Sequence, residues 1–247
     1  MAKAVNQPPP ETADIETSSD DYASRFAGKT GEWMLKTQEA VAMSLLKDMP
    51  KAGILDVGGG HGQIAAPLSR NGFKVTVLGS DESCRHRIRG LVDSGKCVFK
   101  TGNVVDLPFP DRAFDVCISF RLLTHCSQWQ KLVSELCRVA ARSVIVDYPT
   151  SQSLNRIAPL LFGAKKRIER NTRTWTLFRH ADVREQFGRN GFVPSEKRAQ
   201  FFLPMVLHRA LKCRPLSAAL EDICSALGLT HLWGSPVIMR ADREREE

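Results

Sequence analysis

A glycine-rich turn follows a short apolar segment near residue 55. The segment Ile54-Leu55-Asp56-Val57 is followed by glycines at positions 58, 59, 60 and 62. Glycine suits a turn that brings bare backbone against a ligand, because it has no Cβ and tolerates positive φ. Residues 64–70 are compatible with a helix, whose N-terminus offers free N–H groups and a partial positive charge. The pattern predicts a strand, a ligand-binding turn and a helix.

The spacing of these glycines separates two classes of ligand. A dinucleotide-binding turn has the form G-x-G-x-x-G, which places its third glycine at position 63, where this chain has Gln63. The form here is D-x-G-x-G-x-G, with Asp56 two residues before the first glycine. A carboxylate attracts a cationic amine and repels a pyrophosphate. The turn therefore favours a ligand with an amino group over NAD, although an ordinary glycine-rich turn has the same composition.

Further motifs follow in order along the chain. Residues 74–78 read as a second strand. Residues 103–119 contain a Leu-Pro-Phe turn and then Phe-Asp before an apolar segment, which indicates a fourth strand at 116–119. Residues 143–149 supply a fifth strand, 192–202 a sixth with its turn, and 236–241 a seventh. Helical spacing between the strands predicts a parallel sheet with helices on both faces.

Together these motifs resemble class I S-adenosylmethionine (SAM) methyltransferases over residues 54–149. The resemblance is closest to the small-molecule enzymes of the ubiquinone/menaquinone type, which are methyltransferase domain 11-like. It implies an α/β fold with a Rossmann-like, doubly wound seven-stranded sheet. That sheet is mostly parallel with an antiparallel last strand, and helical cap insertions accompany it. The implied cofactor is SAM, with S-adenosylhomocysteine (SAH) as product.

The resemblance also implies which residues bind SAM. The glycine turn passes under the methionine part, Asp56 holds its amino group, and a Tyr or Arg of the N-terminal lid lies near its carboxylate. The cofactor-binding residues implied in this way are Tyr22, Arg25, Asp56, Gly58, Gly59, Gly60, Gly62, Gly79, Ser80, Asp81, Asn103, Val104, Ser119 and Phe120.

Two positions depart from the family pattern. The family usually ends its second strand with an acid that binds the ribose hydroxyls, and here that place falls on Gly79. Asp81 is the candidate substitute, although it could equally cap the following helix. Asn103 stands where an Asp usually meets the adenine amino group, and its amide oxygen can still accept that hydrogen bond.

Four residues are candidates on the acceptor side. His125 follows the fourth strand and could accept a proton near neutral pH, or it could be a loop histidine bonded to backbone. Tyr22 and Tyr148 are the only tyrosines and fall at edges of the predicted site, so each is a candidate catalytic residue or a half-exposed packing residue. Arg121 is a candidate ligand for an anionic acceptor.

The chain is expected to form one domain. Residues 1–18 contain three consecutive prolines and many polar residues, which predicts a disordered tail before a single domain of residues 19–247. Segments of about 19–49 and 150–230 are expected to form the cap on the acceptor side. Helices are expected at 32–49 and 128–140, from apolar residues at helical spacing.

Basic charge is concentrated in one segment. The net charge is +8, and residues 151–214 hold 14 Lys and Arg against 4 Asp and Glu. Such a segment can be a solvated face, can attract an anionic small molecule or a membrane surface, or can bind nucleic acid. The predicted function is methyl transfer to a small, lipophilic or anionic acceptor. An RNA methyltransferase and a non-catalytic protein of the same fold are the alternatives.

Composition sets further expectations. No apolar stretch approaches the roughly 18 residues of a membrane span, and the N-terminus lacks the order of a signal peptide. The seven cysteines are scattered, with no CxxC pair, so neither a zinc site nor a disulfide framework is indicated. A cytoplasmic location and no bound metal are therefore expected.

Overall fold

Seven strands form one sheet in the order β3-β2-β1-β4-β5-β7-β6. The structure is a computed structural model that describes residues 11–154 and 175–244. Strands β1 to β5 run parallel, and β7 pairs antiparallel with both β5 and β6. The predicted fold class is confirmed. The strands are β1 Gly53–Val57, β2 Lys74–Gly79, β3 Val98–Thr101, β4 Phe114–Ser119, β5 Ala140–Tyr148, β6 Phe192–Ala199 and β7 Val237–Arg243.

Helices cover both faces of this sheet. They are α1 Ala13–Thr17, α2 Asp20–Ser24, α3 Gly28–Leu45, α4 Ala65–Arg70, α5 Arg89–Asp93, α6 Trp129–Val139, α7 His180–Gly188, α8 Met205–Leu211, α9 Arg214–Ala226 and α10 Leu229–Trp233. Short 3₁₀ helices span Gly59–His61, Glu82–Ile88 and Leu123–His125. The helix predicted at 128–140 is confirmed as α6, whereas the one predicted at 32–49 begins and ends four residues earlier, as α3.

The central strands are apolar on both sides because each face of the sheet is covered. On one face, Leu132 and Leu136 of α6 pack with Val144 of β5 and Phe187 of α7. The opposite face buries side chains of α3 and α4 against β1, β2 and β4. This double burial explains why the central residues of β1, β4 and β5, such as Ile54-Leu55, Val116-Cys117-Ile118 and Val144-Ile145-Val146, are consecutive apolar residues.

The structure differs from the predicted N-terminal tail. Residues 1–10 lie outside the described residues, but residues 13–17 form α1 and bury Asp14 and Thr17. The prediction of disorder is therefore wrong for residues 11–18. The prediction rested on polar composition. It failed because α1 is stabilised by contacts with the glycine turn, which is distant in sequence. Residues 155–174, which belong to the predicted basic segment at 151–214 and to the predicted cap at about 150–230, are also outside the description.

A cap lies beside the carboxyl ends of the strands. Its apolar core joins Phe26 and Met34 to Phe201, which follows β6. The buried carboxylate of Glu221, on α9, accepts hydrogen bonds from the backbone N–H groups of residues 202 and 203 and pairs with His208 Nε2 at 2.9 Å. The predicted helical insertion between the last two strands is thus present as α8, α9 and α10.

Arg240 connects the last strand to helix α3. Its guanidinium donates to the backbone oxygen of Leu45 at 2.8 Å and to both carboxylate oxygens of Asp48 at 2.6 and 2.9 Å. Its Nε donates to Asp242 at 2.8 Å. The side chain is only 10% exposed, so these bonds are shielded from water.

We expect Arg240→Met to lower the free energy of unfolding by about 1–3 kcal/mol, because it leaves the acceptors of α3 without their donor. Urea unfolding monitored by circular dichroism measures this change. The control Arg198→Met removes an ion pair with Glu196 whose arginine is 53% exposed, and we expect it to cost at most about 0.5 kcal/mol. Equal effects of the two substitutions would contradict this account.

Candidate functional site

The site lies at the carboxyl ends of the parallel strands. Strand order reverses direction between β1 and β4, and ligands of open α/β sheets bind in the crevice outside such a switch point. The glycine turn leaves β1 here. Ser80 follows β2, Arg121 follows β4, and Asp147 lies near the end of β5. Predicted site residues that follow three strands, β1, β2 and β4, therefore share one edge of the sheet with Asp147, which was not among the residues predicted from the sequence.

The glycine turn is built by positive backbone angles. Gly58 and Gly62 both have φ of +75°, which side chains disfavour. Gly59 to His61 form one 3₁₀ turn between them. A Cβ at Gly59 would overlap the Asp56 carboxylate. Glycine is therefore needed here, because the carboxylate packs directly against the turn.

Asp56 is the least satisfied charged group of the site. Its side chain is fully buried, and neither carboxylate oxygen has a hydrogen-bond partner within the described part of the chain. Burial raises the pKa of Asp56 to about 7. An unpaired buried carboxylate is costly, and a cationic group or hydrogen-bond donor at this position would relieve that cost.

Other buried polar atoms around the turn also lack a hydrogen-bond partner. Ser18 Oγ, His61 Nε2, Gln63 Oε1 and Arg121 Nη1 have no partner among residues 11–154 and 175–244. His61 Nδ1 accepts the Gln63 backbone N–H at 3.2 Å, so the proton of the neutral ring is on Nε2. Burial lowers the pKa of His61 to about 3, which keeps the ring neutral. Sequence reasoning missed His61, because it stands at a variable position of the glycine motif.

The end of β2 explains one departure from the family pattern. A Cβ at Gly79 would lie 2.7 Å from Cys84 Cβ and 3.0 Å from the Phe99 ring, so no acidic side chain fits there. Ser80 instead hydrogen bonds to Asp14 of α1 through both its backbone N–H and its hydroxyl. Asp81 accepts the Ser83 N–H at 2.8 Å and is exposed, which is the capping role expected as its alternative.

The residues predicted to contact adenine lie one strand further along the sheet. Asn103 Oδ1 accepts the Val105 N–H at 3.1 Å, and Val104 is fully buried in the core. An amide oxygen has a second lone pair, so this bond leaves Asn103 able to accept another donor. Its place in a cofactor site stays a prediction.

Ser119 and Phe120 end β4 as buried residues. The Ser119 hydroxyl donates to the Val57 backbone oxygen at 3.0 Å and so ties β4 to the start of the glycine turn. Phe120 packs in the core on the α3 and α4 face. Both side chains are therefore buried within the protein, and their place in a cofactor site stays a prediction.

Arg121 is buried in a strained conformation. Its φ is +62°, a region that non-glycine residues rarely adopt. Its backbone N–H donates to Asp147 Oδ1 at 2.5 Å, and its Nη2 donates to Gln38 Oε1 at 3.1 Å. The Phe26 ring lies 4.0 Å from the guanidinium carbon. Burial raises the pKa of Asp147 to about 6, opposed by the Arg121 backbone hydrogen bond.

The lid residues meet Arg121. Tyr22 on α2 is buried, and its ring centroid lies 6.0 Å from the Arg121 guanidinium carbon. The guanidinium carbon of Arg25 lies 4.8 Å from the same Tyr22 ring centroid. The Arg25 guanidinium also forms an ion pair with the Glu16 carboxylate at 3.7 Å. The structure therefore brings Tyr22 to the crevice beside Arg121, while Arg25 contacts α1.

The two remaining catalytic candidates have different surroundings. His125 is partly buried at the end of a 3₁₀ turn, and its backbone N–H donates to Leu122 O at 3.0 Å. Tyr148 is buried in the core, with its hydroxyl 2.9 Å from His180 Nδ1, and burial raises its pKa. The contacts of Tyr148 are those of a packing residue that is buried rather than half-exposed.

No helix in the described ranges, 11–154 and 175–244, is long and apolar enough to cross a membrane. In the same ranges, no three His, Cys, Asp or Glu side chains form a group able to hold a metal ion.

Comparison with known proteins agrees with this geometry. Residues 55–146 match the model of a family described as "Methyltransferase domain". An uncharacterized methyltransferase of Mycobacterium sp. (strain JLS) is 34% identical over 86 residues, which cover 35% of this chain and 33% of that protein. The aligned part thus spans about a third of that relative's length.

Two further proteins extend the comparison. The glycine/sarcosine/dimethylglycine N-methyltransferase of Actinopolyspora halophila is 31% identical over 158 residues, covering 60% of this chain and 25% of that one. The crystal structure of magnesium protoporphyrin IX methyltransferase from Synechocystis PCC 6803, solved with bound SAH, superposes with a TM-score of 0.63 at 15% identity. That superposition covers 93% of this chain and 98% of the other, and shows a common fold.

Residues 55–146 therefore contain a segment that matches a methyltransferase domain. The described residues share the fold of the superposed methyltransferase structure.

The raised pKa of Asp56 has a consequence for stability. Between about pH 4 and pH 7 the folded protein keeps a proton on Asp56 that the unfolded chain releases, so this group makes folding less favourable as pH rises. We expect Asp56→Asn to stabilise the ligand-free protein by about 1–3 kcal/mol at pH 8. The gain should shrink toward zero near pH 4.5. Urea unfolding of both proteins across this range measures it, and a gain independent of pH would contradict the assignment.

Proposed function

We propose that this chain transfers a methyl group from SAM to a small acceptor that carries an anionic group. The observation that supports SAM most strongly is the buried, unpaired carboxylate of Asp56 beneath a glycine turn at the switch point of the sheet. SAM carries an amino group and, when bound, supplies a methyl group on a sulfonium whose departure leaves a neutral thioether. The residues present fit such a ligand, because the unpaired atoms of the site include both an acid and hydrogen-bond donors.

The proposed roles follow from position. Asp56 would accept the amino group of the cofactor, and the bare backbone of Gly58 and Gly60 would lie along its methionine part. His61 Nε2–H and Ser18 Oγ are unpartnered polar groups beside the same turn. Asn103 would accept the adenine amino group. Since methyl transfer to a good nucleophile needs mainly positioning and exclusion of water, these residues bind and orient the cofactor.

The acceptor side is proposed from Arg121. A buried guanidinium with a free Nη1 donor requires an acceptor for hydrogen bonds, and an anionic one compensates its charge. Phe26 and Tyr22 flank it with aromatic surface. These groups suit a small molecule with a carboxylate beside an apolar part. The relative whose name includes glycine, sarcosine and dimethylglycine as substrates is compatible with this class.

His125 is proposed as the base where the acceptor must lose a proton. It ends the 3₁₀ helix that follows β4 and is partly buried. A cytoplasmic location and an RNA acceptor stay predictions from the sequence.

A non-catalytic protein with this fold is the second candidate. It is favoured by the end of β2, where Gly79 has no space for an acid, Asp81 caps a helix and Ser80 is bonded within the chain. The two candidates differ in one measurement. SAH formation with an acceptor present supports catalysis, whereas SAM binding without any turnover over a broad acceptor panel supports the binding protein.

Cofactor choice is tested by isothermal titration calorimetry with SAM, SAH and NADH. We expect SAM and SAH to bind and NADH not to bind, because the acid at Asp56 repels a pyrophosphate. Gly60→Val should abolish SAM binding, since a side chain there would overlap Cys84 and Ser18. Gly90→Val is the matched control, because a Cβ at Gly90 meets no atom within 4 Å. NADH binding without SAM binding would contradict the proposal.

The role of Arg121 is tested with acceptors that differ only in charge. We expect kcat/KM to be at least about tenfold higher for a carboxylate than for its amide, as for sarcosine against sarcosinamide or hydroxybenzoate against hydroxybenzamide. Arg121→Gln should remove this preference by raising KM for the carboxylate, with SAM affinity little changed. Equal use of the charged and neutral members by the unmodified enzyme would contradict an anion site, and a loss of SAM affinity in Arg121→Gln would assign Arg121 to the cofactor carboxylate.

A further inference from the structure

Helix α1 lies on the glycine turn and inserts an acid into the crevice. The Asp14 carboxylate is fully buried. It accepts the Ser80 backbone N–H at 2.6 Å, the Ser80 hydroxyl, and the Cys84 thiol at 3.4 Å. These donors lie at the carboxyl end of β2, so a residue near the N-terminus occupies the donors beside the proposed cofactor site.

The same helix covers the backbone that the glycines leave bare. Asp14 Cβ lies 3.5 Å from the position that a Cβ on Gly58 would take. The Ser18 hydroxyl would overlap a Cβ on Gly60. The space above both glycines is therefore filled by α1 and the residue after it. A ligand that lies along the turn requires this space.

We propose that α1 is an internal competitor of the cofactor, and that the bonds between Asp14 and Ser80 form a latch that opens when the cofactor binds. The inference rests on the proposed function, since it concerns the same site. In this proposal Asp14 lowers the affinity for the cofactor, an effect that the glycine motif alone does not indicate.

Two features make this contact reversible. A helix of five residues is unstable on its own in water, so α1 persists only through its contacts with the turn and with β2. Within residues 11–154 and 175–244, the Asp14 carboxylate accepts hydrogen bonds from Ser80 and Cys84 and from no cationic side chain. Removal of α1 therefore exchanges a small set of polar contacts for contacts with the ligand.

An alternative role for Asp14 predicts the opposite change in SAM affinity when its carboxylate is removed. A carboxylate at the end of β2 could instead hold hydroxyl groups of the ligand, as an acid of β2 itself would. The observed contacts argue against this role. Three donors already bond to the Asp14 carboxylate, and α1 lies at van der Waals distance from Gly58, so no space remains between them for a ligand. The direction of the change in affinity on removal of Asp14 separates the two roles.

The first experiment measures SAM affinity in the full chain by calorimetry. If the latch is closed in about 70–90% of molecules, its removal makes the apparent Kd about threefold to tenfold lower. We expect this for Asp14→Ala. The control Asp21→Ala removes an exposed acid from α2 and should leave Kd unchanged. A Kd that is unchanged or higher in Asp14→Ala would overturn the latch, while failure of every protein to bind SAM would overturn the proposed function.

The second experiment tests the latch without any ligand. Hydrogen–deuterium exchange of the free protein should show protection of residues 12–19 and of Ser80 in the unmodified chain and in Asp21→Ala, and loss of that protection in Asp14→Ala. Saturating SAM should increase exchange at residues 12–19. Free exchange of this segment in the unmodified protein would overturn the latch whether or not SAM binds, and stronger protection with SAM would show closure over the ligand.

Discussion

The structure of this site depends on one unfavourable arrangement, a buried carboxylate without a partner. Asp56 lies under a turn whose glycines have no side chains to cover it, and its pKa is raised to about 7 by burial. Two positive φ angles hold that turn in place, and the ends of β1, β2, β4 and β5 surround it. Perturbed acids at such a switch point are typical of ligand sites, and this is why we propose that a bound amino group compensates the charge of Asp56.

Much of the fold could be predicted from sequence because it depends on local patterns. Apolar segments that alternate with helical spacing identified β1, β2, β4 and β5, and the family resemblance implied the helical cap insertions. The edge strand β3 was not assigned, because its residues are exposed and lack an apolar pattern. The helix α1 was predicted as disordered, since its stability comes from contacts with residues 58–84, which no local pattern reports.

The site was predictable to the extent that single residues carry its chemistry. Asp56 and the glycines followed from spacing, and the alternative reading of Asp81 as a helix cap matches its observed contact. The contact of the Tyr148 hydroxyl with His180 could not be predicted, because only the packing of α7 brings these two side chains together. His61, Asp14 and the neighbours of Arg121 come from three separate segments, so their meeting depends on the tertiary structure.

The glycine turn, the buried guanidinium of Arg121 and helix α1 lie together at the carboxyl ends of the strands. SAM is proposed to lie along the glycine turn with its amino group on Asp56. A crystal structure with bound SAH tests this most directly. We predict the amino nitrogen within hydrogen-bond distance of the Asp56 carboxylate, with α1 moved off Gly58. SAH bound elsewhere, or Asp56 still buried without a partner in the complex, would contradict the claim.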